Sequence, residues 1–276
     1  LAFEDWRVVA SCAKDLNIDL IFDIFGSASL SIASSLGASA IKLHPTDFNN
    51  SELLRTIAKS GPFSNVIAGC GGSSRSEILS TLHILNHVDK VTLLHGFQGY
   101  PTLIPDNCLN RLLQYQKIAL EVGNKICLGF ADHSDPLSPE SVHLAVMSLG
   151  FGVTVIEKHL TLARCLELED FESALSPDEF RSFVCKLRSS YQAKGQDLSD
   201  NEEFKIPESE SNYRRQVSRH VVSSRELQHG HIVTAGDILL KRTSKNSAIT
   251  NPSDVIGRKT SINIPTNHSF ELSNFC

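Results

Sequence analysis

Six short runs rich in apolar and β-branched residues divide the N-terminal part of the chain: DLIFDIF (19–25), SAIKLH (39–44), SNVIAG (64–69), KVTLLHGF (90–97), ICLGFA (126–131) and GVTVIEKH (152–159). A helical pattern follows each of them. Such alternation predicts βα units around a parallel sheet, because parallel neighbours can be joined only by a long crossover. Helix starts are marked by chemistry as well as by period. Ser74 with Glu77, Ser138 before Pro139, and Ser176 with Pro177 and Glu179 all match a side-chain oxygen accepting from the free amides of a first helical turn. Residues 1–191 therefore read as an α/β domain.

Beyond it, QAKGQDLSDNEEFKIPESES (192–211) is polar, acidic and without hydrophobic period, which reads as a linker. Residues 212–276 carry strand-like pieces, RHVVSS, ILLKRT and TSINIP, interrupted by QHGHIVTAGD and NPSDVIG. A small, mainly β module is expected there. At 276 residues the chain has room for two such unequal domains.

Composition narrows the class of partner. With 21% charged residues and a net charge of −5, the chain offers no basic field for nucleic acid or an anionic membrane, so a small molecule is the expected ligand. No apolar run is long enough to span a bilayer, and no basic stretch leads into an apolar one, so neither insertion nor secretion is expected. Seven cysteines are scattered without C-x-x-C spacing, several inside apolar runs. That usage predicts a cytoplasmic protein without disulfides or a thiolate zinc site.

Chemistry gathers where strands end. In a parallel α/β barrel the active site lies at the carboxyl ends of the strands. The stretch VTVIEKHLTL (153–162) runs from a strand-like segment into Glu157, Lys158 and His159, and CLGFADH closes the preceding strand with Asp132 and His133. Paired strands lie about 4.8 Å apart, so the two imidazoles could share a divalent ion. A lone histidine at a strand end is more often a hydrogen-bonded structural residue; two at matching ends, each beside a carboxylate, weigh against that. Lys42 interrupts an apolar strand, and an ammonium buried without an anion is costly. Its partner is either an internal carboxylate or a phosphate or carboxylate ligand. His44, two residues on, shares its face and suits the core, a supporting position or a ligand. HGFQGYPT (95–102) leaves the fourth strand through a glycine-rich turn in which Gln98 and Tyr100 suit a substrate wall.

Taken in order, these residues resemble the N-acetylneuraminate (sialic acid) synthase family. The resemblance rests on Ile41-Lys42-Leu43, on Gly69-Cys70-Gly71-Gly72 running to Glu77-Ile78, on Leu93-Leu94-His95 with Tyr100-Pro101-Thr102, on Gly129 to His133, and on Ile156-Glu157-Lys158-His159 with Thr161-Leu162. LEDFESALSPDEF (168–180) resembles the family segment whose aspartate, here Asp170, is implicated in the substrate site. GHIVTAGDILLKR (230–242) resembles the antifreeze-like (SAF) module, and places Arg242 on the arginine that reaches a partner's active site.

The resemblance implies a TIM (β/α)8-type barrel lacking its first two βα units, followed by an SAF domain. Six strands cannot close an eight-stranded barrel, so either upstream sequence is missing or the gene is degraded. It also implies condensation of phosphoenolpyruvate with N-acetylmannosamine or a related amino-sugar aldehyde, giving a nine-carbon 2-keto acid and phosphate. His133 and His159 would bind a divalent metal, manganese or magnesium. Lys42 and Arg242 would neutralise phosphate or carboxylate charge, Glu157 and Asp170 would orient water or hydroxyls, and Gln98, Tyr100 and Asp132 would contact substrate. A homodimer is expected, its SAF modules crossing to the neighbouring subunit.

Departures from the family pattern keep other readings open. Ala131, Pro45 and Gly69-Cys70 stand where the family has hydroxyls, FDIFG replaces S-T-P-F, Phe171 replaces a histidine and Thr243 a proline. A divergent synthase acting on another acyl-amino sugar is the first reading. A non-catalytic binding or assembly module is the second, and a different metal-dependent aldolase the third, since one fold hosts many chemistries.

Overall fold

The structure is a computed structural model that describes residues 2–60, 63–97, 99–123, 125–195, 206–243 and 248–276. The chain forms two compact units, Leu1–Gln196 and Asp197–Cys276. The first contains α1 (Phe3–Asp15), β1 (Ile21–Ile24), α2 (Ser27–Ser35), β2 (Ala40–Leu43), α3 (Ser51–Ser60), β3 (Asn65–Gly69), α4 (Arg75–Ile84), β4 (Lys90–His95), α5 (Arg111–Val122), β5 (Ile126–Asp132), α6 (Ser141–Gly150), β6 (Val153–Lys158) and α7 (Pro177–Lys194). All six strands expected from the sequence form, with ends that differ by a residue or two, the usual scatter of element boundaries.

The strands pair in parallel in chain order, β1 to β6. Side-chain reach shows that this sheet is curled. Lys42 on β2 touches Glu157 on β6 at 3.0 Å, although four strand spacings would separate these residues by roughly 19 Å in a flat sheet. A lysine and a glutamate together cannot span that distance, so the sheet bends around its inner face as a barrel wall does. Ile67, Leu94 and Ala131 form a small apolar floor of their own, separate from the main core. That main core, with Ile41, Leu43, Val66, Leu93, Leu112 and Phe130, lies between the sheet and its helices.

Two of the three expected caps sit directly at a helix start. Ser74 caps α4, its Oγ accepting from the Glu77 amide at 3.3 Å while the Glu77 carboxylate accepts from the Ser74 amide at 2.8 Å. Glu179 accepts from the amide and hydroxyl of Ser176 at the start of α7, where Pro177 is the first helical residue. Ser138 meets the expectation one step ahead of the helix: its Oγ accepts from the Glu140 amide at 3.3 Å and its hydroxyl bonds the Glu140 carboxylate at 2.6 Å, while α6 starts later, at Ser141. The turn before α6 uses the serine for its own closure.

Glu179 also receives both guanidinium nitrogens of Arg164, at 2.7 and 2.9 Å. The Ser176 hydroxyl and then Arg164 hold its carboxyl down at about 2, against burial acting in the opposite direction. A carboxylate depressed in the folded state contributes stability above its ordinary value near 4.5, and that contribution is lost as pH falls through about 2. Glu179→Gln should therefore lower Tm at pH 7 and flatten the Tm profile between about pH 4.5 and 2. An unchanged profile in thermal melts would contradict the assignment. Glu179 is partly exposed, so the effect is modest.

The second unit contains α8 (Glu208–Val217), β7 (Arg219–Ser223) and β8 (Ile238–Arg242), the two strands pairing antiparallel. Its core is Val221, Leu227, Val233, Val255, Ile264 and Phe270. The expected strand TSINIP is not one: Thr260 and Ile264 make isolated bridges to Phe275 and Leu227. Much of this unit is held by turns instead. Asp237, buried, accepts from Arg225 and Thr234 and lies 2.8 Å from His231 Nε2. The stretch read as a linker, 192–211, begins inside α7 and ends inside α8; residues 196–205 lie outside the described residues. All seven cysteines are unpaired. Among the described residues, no helix is long and apolar enough to cross a membrane.

Candidate metal centre at the strand ends

Alternation along a strand decides which terminal side chains meet. On paired strands β5 and β6, Ala131 lies opposite Glu157 and Asp132 opposite Lys158. Successive side chains point to opposite faces, so Glu157 joins Ala131 on the inner face, whereas Asp132 and Lys158 turn outward together. His133 and His159, one residue further, return inward and pack ring to ring at 5.1 Å. The ligating atoms of His133, Glu157 and His159 all lie within 4.8 Å of one another, a grouping able to hold a metal ion.

His133 is the most constrained of the three. Its Nδ1 lies 2.7 Å from the Phe97 carbonyl oxygen, which can only accept, so Nδ1 carries a proton and Nε2 is the nitrogen left to face the cluster. That Nε2 is buried, has no hydrogen bond and lies 3.5 Å from Glu157 Oε1. A buried nitrogen without a partner is costly, and a cation would satisfy it. The backbone of His133 is clamped as well: its carbonyl accepts from the Thr102 amide and the Ser173 hydroxyl, each at 2.8 Å. Gly96 makes the clamp possible, since a Cβ there would fall 2.7 Å from the Ala131 Cβ.

His159 Nδ1 lies 3.5 Å from Asp170 Oδ2. Burial, and then the neighbouring His133, push the His159 imidazole below its ordinary value, with Asp170 opposing. It is thus held neutral, the form that ligates metals. Tyr100 covers both histidines, its ring 4.9 Å from His133 and 5.4 Å from His159. Burial, then the Asp170 carboxylate, raise the phenol, which stays protonated as a donor.

Lys42 lies within 3.0 Å of both Glu157 oxygens and 3.3 Å from Asp23 Oδ2. An internal carboxylate therefore satisfies the ammonium, the blander of the two sequence readings. Burial acts to lower the Lys42 pKa, but Glu157 and then Asp23 outweigh it and the net shift is upward. Burial likewise opposes ionisation of Glu157, yet the nearby His133 imidazole and the pairing with Lys42 bring it down to about 2. Three acidic side chains, Asp23, Glu157 and Asp170, thus gather around Lys42 and the two imidazoles. This balance favours a cation.

Some expected residues are elsewhere. Asp132 does not face the cluster: it lies 3.3 Å from Lys158 Nζ in an almost fully buried ion pair on the outer face, and its Oδ1 accepts from the amide and hydroxyl of Ser134. Its substrate-binding role fails on the strand's period. His95 is also turned outward, bonded to the Asn107 carbonyl at 2.6 Å between Phe130 and Tyr115. His44 bonds Thr46 beside Phe25. Gln98 lies outside the described residues. Arg242 is exposed on β8 in the second unit. Asp23 was overlooked by sequence reasoning; the signal was a lone carboxylate inside the apolar run IFDI.

Comparison with known proteins agrees with this architecture. A model of the NeuB family matches residues 1–199. An N,N'-diacetyllegionaminic acid synthase from Campylobacter jejuni is 26% identical over 251 residues, covering 89% of this chain and 70% of that protein. Among solved structures, a spore coat polysaccharide biosynthesis protein E from Chromobacterium violaceum superposes with a TM-score of 0.80 at 22% identity, over 100% of this chain and 79% of that one. The N-acetylneuraminic acid (sialic acid) synthetase of Leptospira borgpetersenii, solved with citrate, gives 0.66 at 23% identity, over 79% and 72% of the two chains.

Proposed function

Because the chain belongs to the NeuB family, we propose that it condenses phosphoenolpyruvate with N-acetylmannosamine or a related acyl-amino sugar, giving a nonulosonic 2-keto acid and phosphate. The observation that carries this reading is the His133–Glu157–His159 grouping beside Lys42 and Tyr100 at the carboxyl ends of the strands. The Campylobacter relative is named for synthesis of a nonulosonic acid, which supports the product class.

In this reading the methylene carbon of enolpyruvate bonds to the aldehyde carbon, whose oxygen gains a proton. Water adds to the carbon bearing the phosphate ester, and phosphate leaves. His133, His159 and Glu157 would hold manganese or magnesium, which when bound supplies positive charge next to a carbonyl oxygen. The chain's own residues do the rest. Lys42 pairs with the phosphate or carboxylate of the donor. Glu157, ionised at neutral pH, orients water by accepting from it. Asp170 accepts from a sugar hydroxyl, and the Tyr100 phenol donates to one.

The second unit serves as an SAF module in this scheme, with domains at 1–191 and 212–276 and a linker between. Arg242 would complete the anion site of a partner subunit in a homodimer. Arg242→Ala should then lower turnover at least tenfold and leave the dimer mass unchanged, as read by phosphate release and light scattering; full activity would remove Arg242 from the scheme.

The direct test is phosphate release from phosphoenolpyruvate with manganese over a panel of N-acyl mannosamine-type sugars. Release that depends on a sugar identifies the acceptor. Silence from folded, metal-loaded protein would overturn the reading.

A further inference from the structure

The inner face of β1 carries one polar residue, and it points at the cluster. Asp23 lies opposite Lys42 in the strand register, and its Oδ2 is 3.3 Å from Lys42 Nζ. On the other flank of Lys42, both oxygens of Glu157 stand at 3.0 Å. An ammonium has three donors. With carboxylates on two sides, Lys42 meets an incoming anion already engaged. The next position of that rung, on β3, is Ile67, buried and apolar.

We infer that Asp23 is a positioning and specificity-determining residue: by holding Lys42 against Glu157 it weakens the site for anions and strengthens it for a divalent cation. The inference rests on the functional reading above. Among the described residues no hydrogen bond or ion pair joins Asp23 to His133 or His159, so its effect passes through Lys42 and through charge. Removing its charge while keeping its shape loosens its hold on Lys42 and lessens the negative field at the metal-binding grouping. An anion and a cation must then respond in opposite directions, a pattern that loss of packing alone does not produce.

The test is calorimetric titration of the full chain with Mn2+ alone and, in metal-free protein, with phosphoenolpyruvate alone, for the wild type, Asp23→Asn and Asp23→Glu, with circular dichroism as the check on folding. In Asp23→Asn the affinity for phosphoenolpyruvate should rise about tenfold and that for Mn2+ fall several-fold, the scale of one partly screened charge at this range. Asp23→Glu should return both towards the wild type. Shifts in the same direction, no shift, or no binding of phosphoenolpyruvate by any of the three proteins would overturn the inference. The phosphate-release assay run alongside separates the two claims. Opposed shifts without turnover in any protein would sink the synthase reading and keep Asp23's role; turnover with unmoved affinities would do the reverse.

Discussion

Replacing His133 with asparagine should abolish binding of manganese and lower metal-dependent phosphate release by at least about 10³-fold, while the fold persists. Asparagine is the informative choice because its amide nitrogen can take the place of Nδ1. The bond to the Phe97 carbonyl, 2.7 Å in the native protein, can be kept while the nitrogen facing Glu157 and His159 is lost. Charge stabilisation by a catalytic metal is worth several kcal/mol, and about 4 kcal/mol corresponds to the predicted factor. Alanine at the same position removes both nitrogens and should also loosen the turn after β4. If His133→Asn bound manganese as the wild type does, the grouping His133, Glu157 and His159 would not be the metal site. Calorimetry with Mn2+ reads this without any assumption about the acceptor sugar.

The largest effect on stability is expected one residue away, on the other face of the sheet. Asp132 and Lys158 are 0% and 1% exposed and 3.3 Å apart. Burial pushes the Lys158 ammonium below its ordinary value, and the Asp132 carboxylate opposes that shift. Removing one partner strands the other charge in the interior, at a cost of about 3–5 kcal/mol, on the order of 10 °C in Tm for a unit of this size. Asp132→Ala and Lys158→Met should each show it. The double variant Asp132→Leu/Lys158→Met should recover a large part, because a buried pair is worth little against well-packed apolar residues. Recovery is incomplete, since the Ser134 amide and hydroxyl also depend on Asp132. Single variants within about 1 kcal/mol of the wild type in denaturant melts would show that Asp132 and Lys158 are not a structural pair.

These two expectations concern neighbours in sequence, and they show where reading the chain ran short. Asp132 and His133 stand together in ADH, as Glu157, Lys158 and His159 do in EKH. Assigned as groups, they all belong to the site. Assigned by the period of a strand, only alternate members can. The same period predicted Lys42 and His44 on one face, and Lys42 does meet the cluster there. What the period could not supply was the partner of Lys42: Asp23 is 19 positions before it and Glu157 is 115 after. TSINIP failed for a local reason, and Ser138 caps the turn ahead of α6 and not its first residue. A serine before proline can close a turn as readily as cap a helix, and a β-branched run does not become a strand unless a neighbour offers a continuous ladder.

By itself the sequence determined the parallel α/β character of the first unit, the places of its six strands along the chain, and the ends at which ionisable groups collect. These follow from local rules: apolar runs of strand length, helical segments between them, and capping serines with a glutamate three residues on. Only the tertiary structure decided which of those groups face one another. Curling of the sheet brings β2 against β6, so that Lys42 bridges Asp23 and Glu157 and one nitrogen of His133 is left without a partner. Side-chain chemistry is written locally, whereas charge balance depends on distances across the sheet, and curvature sets those distances.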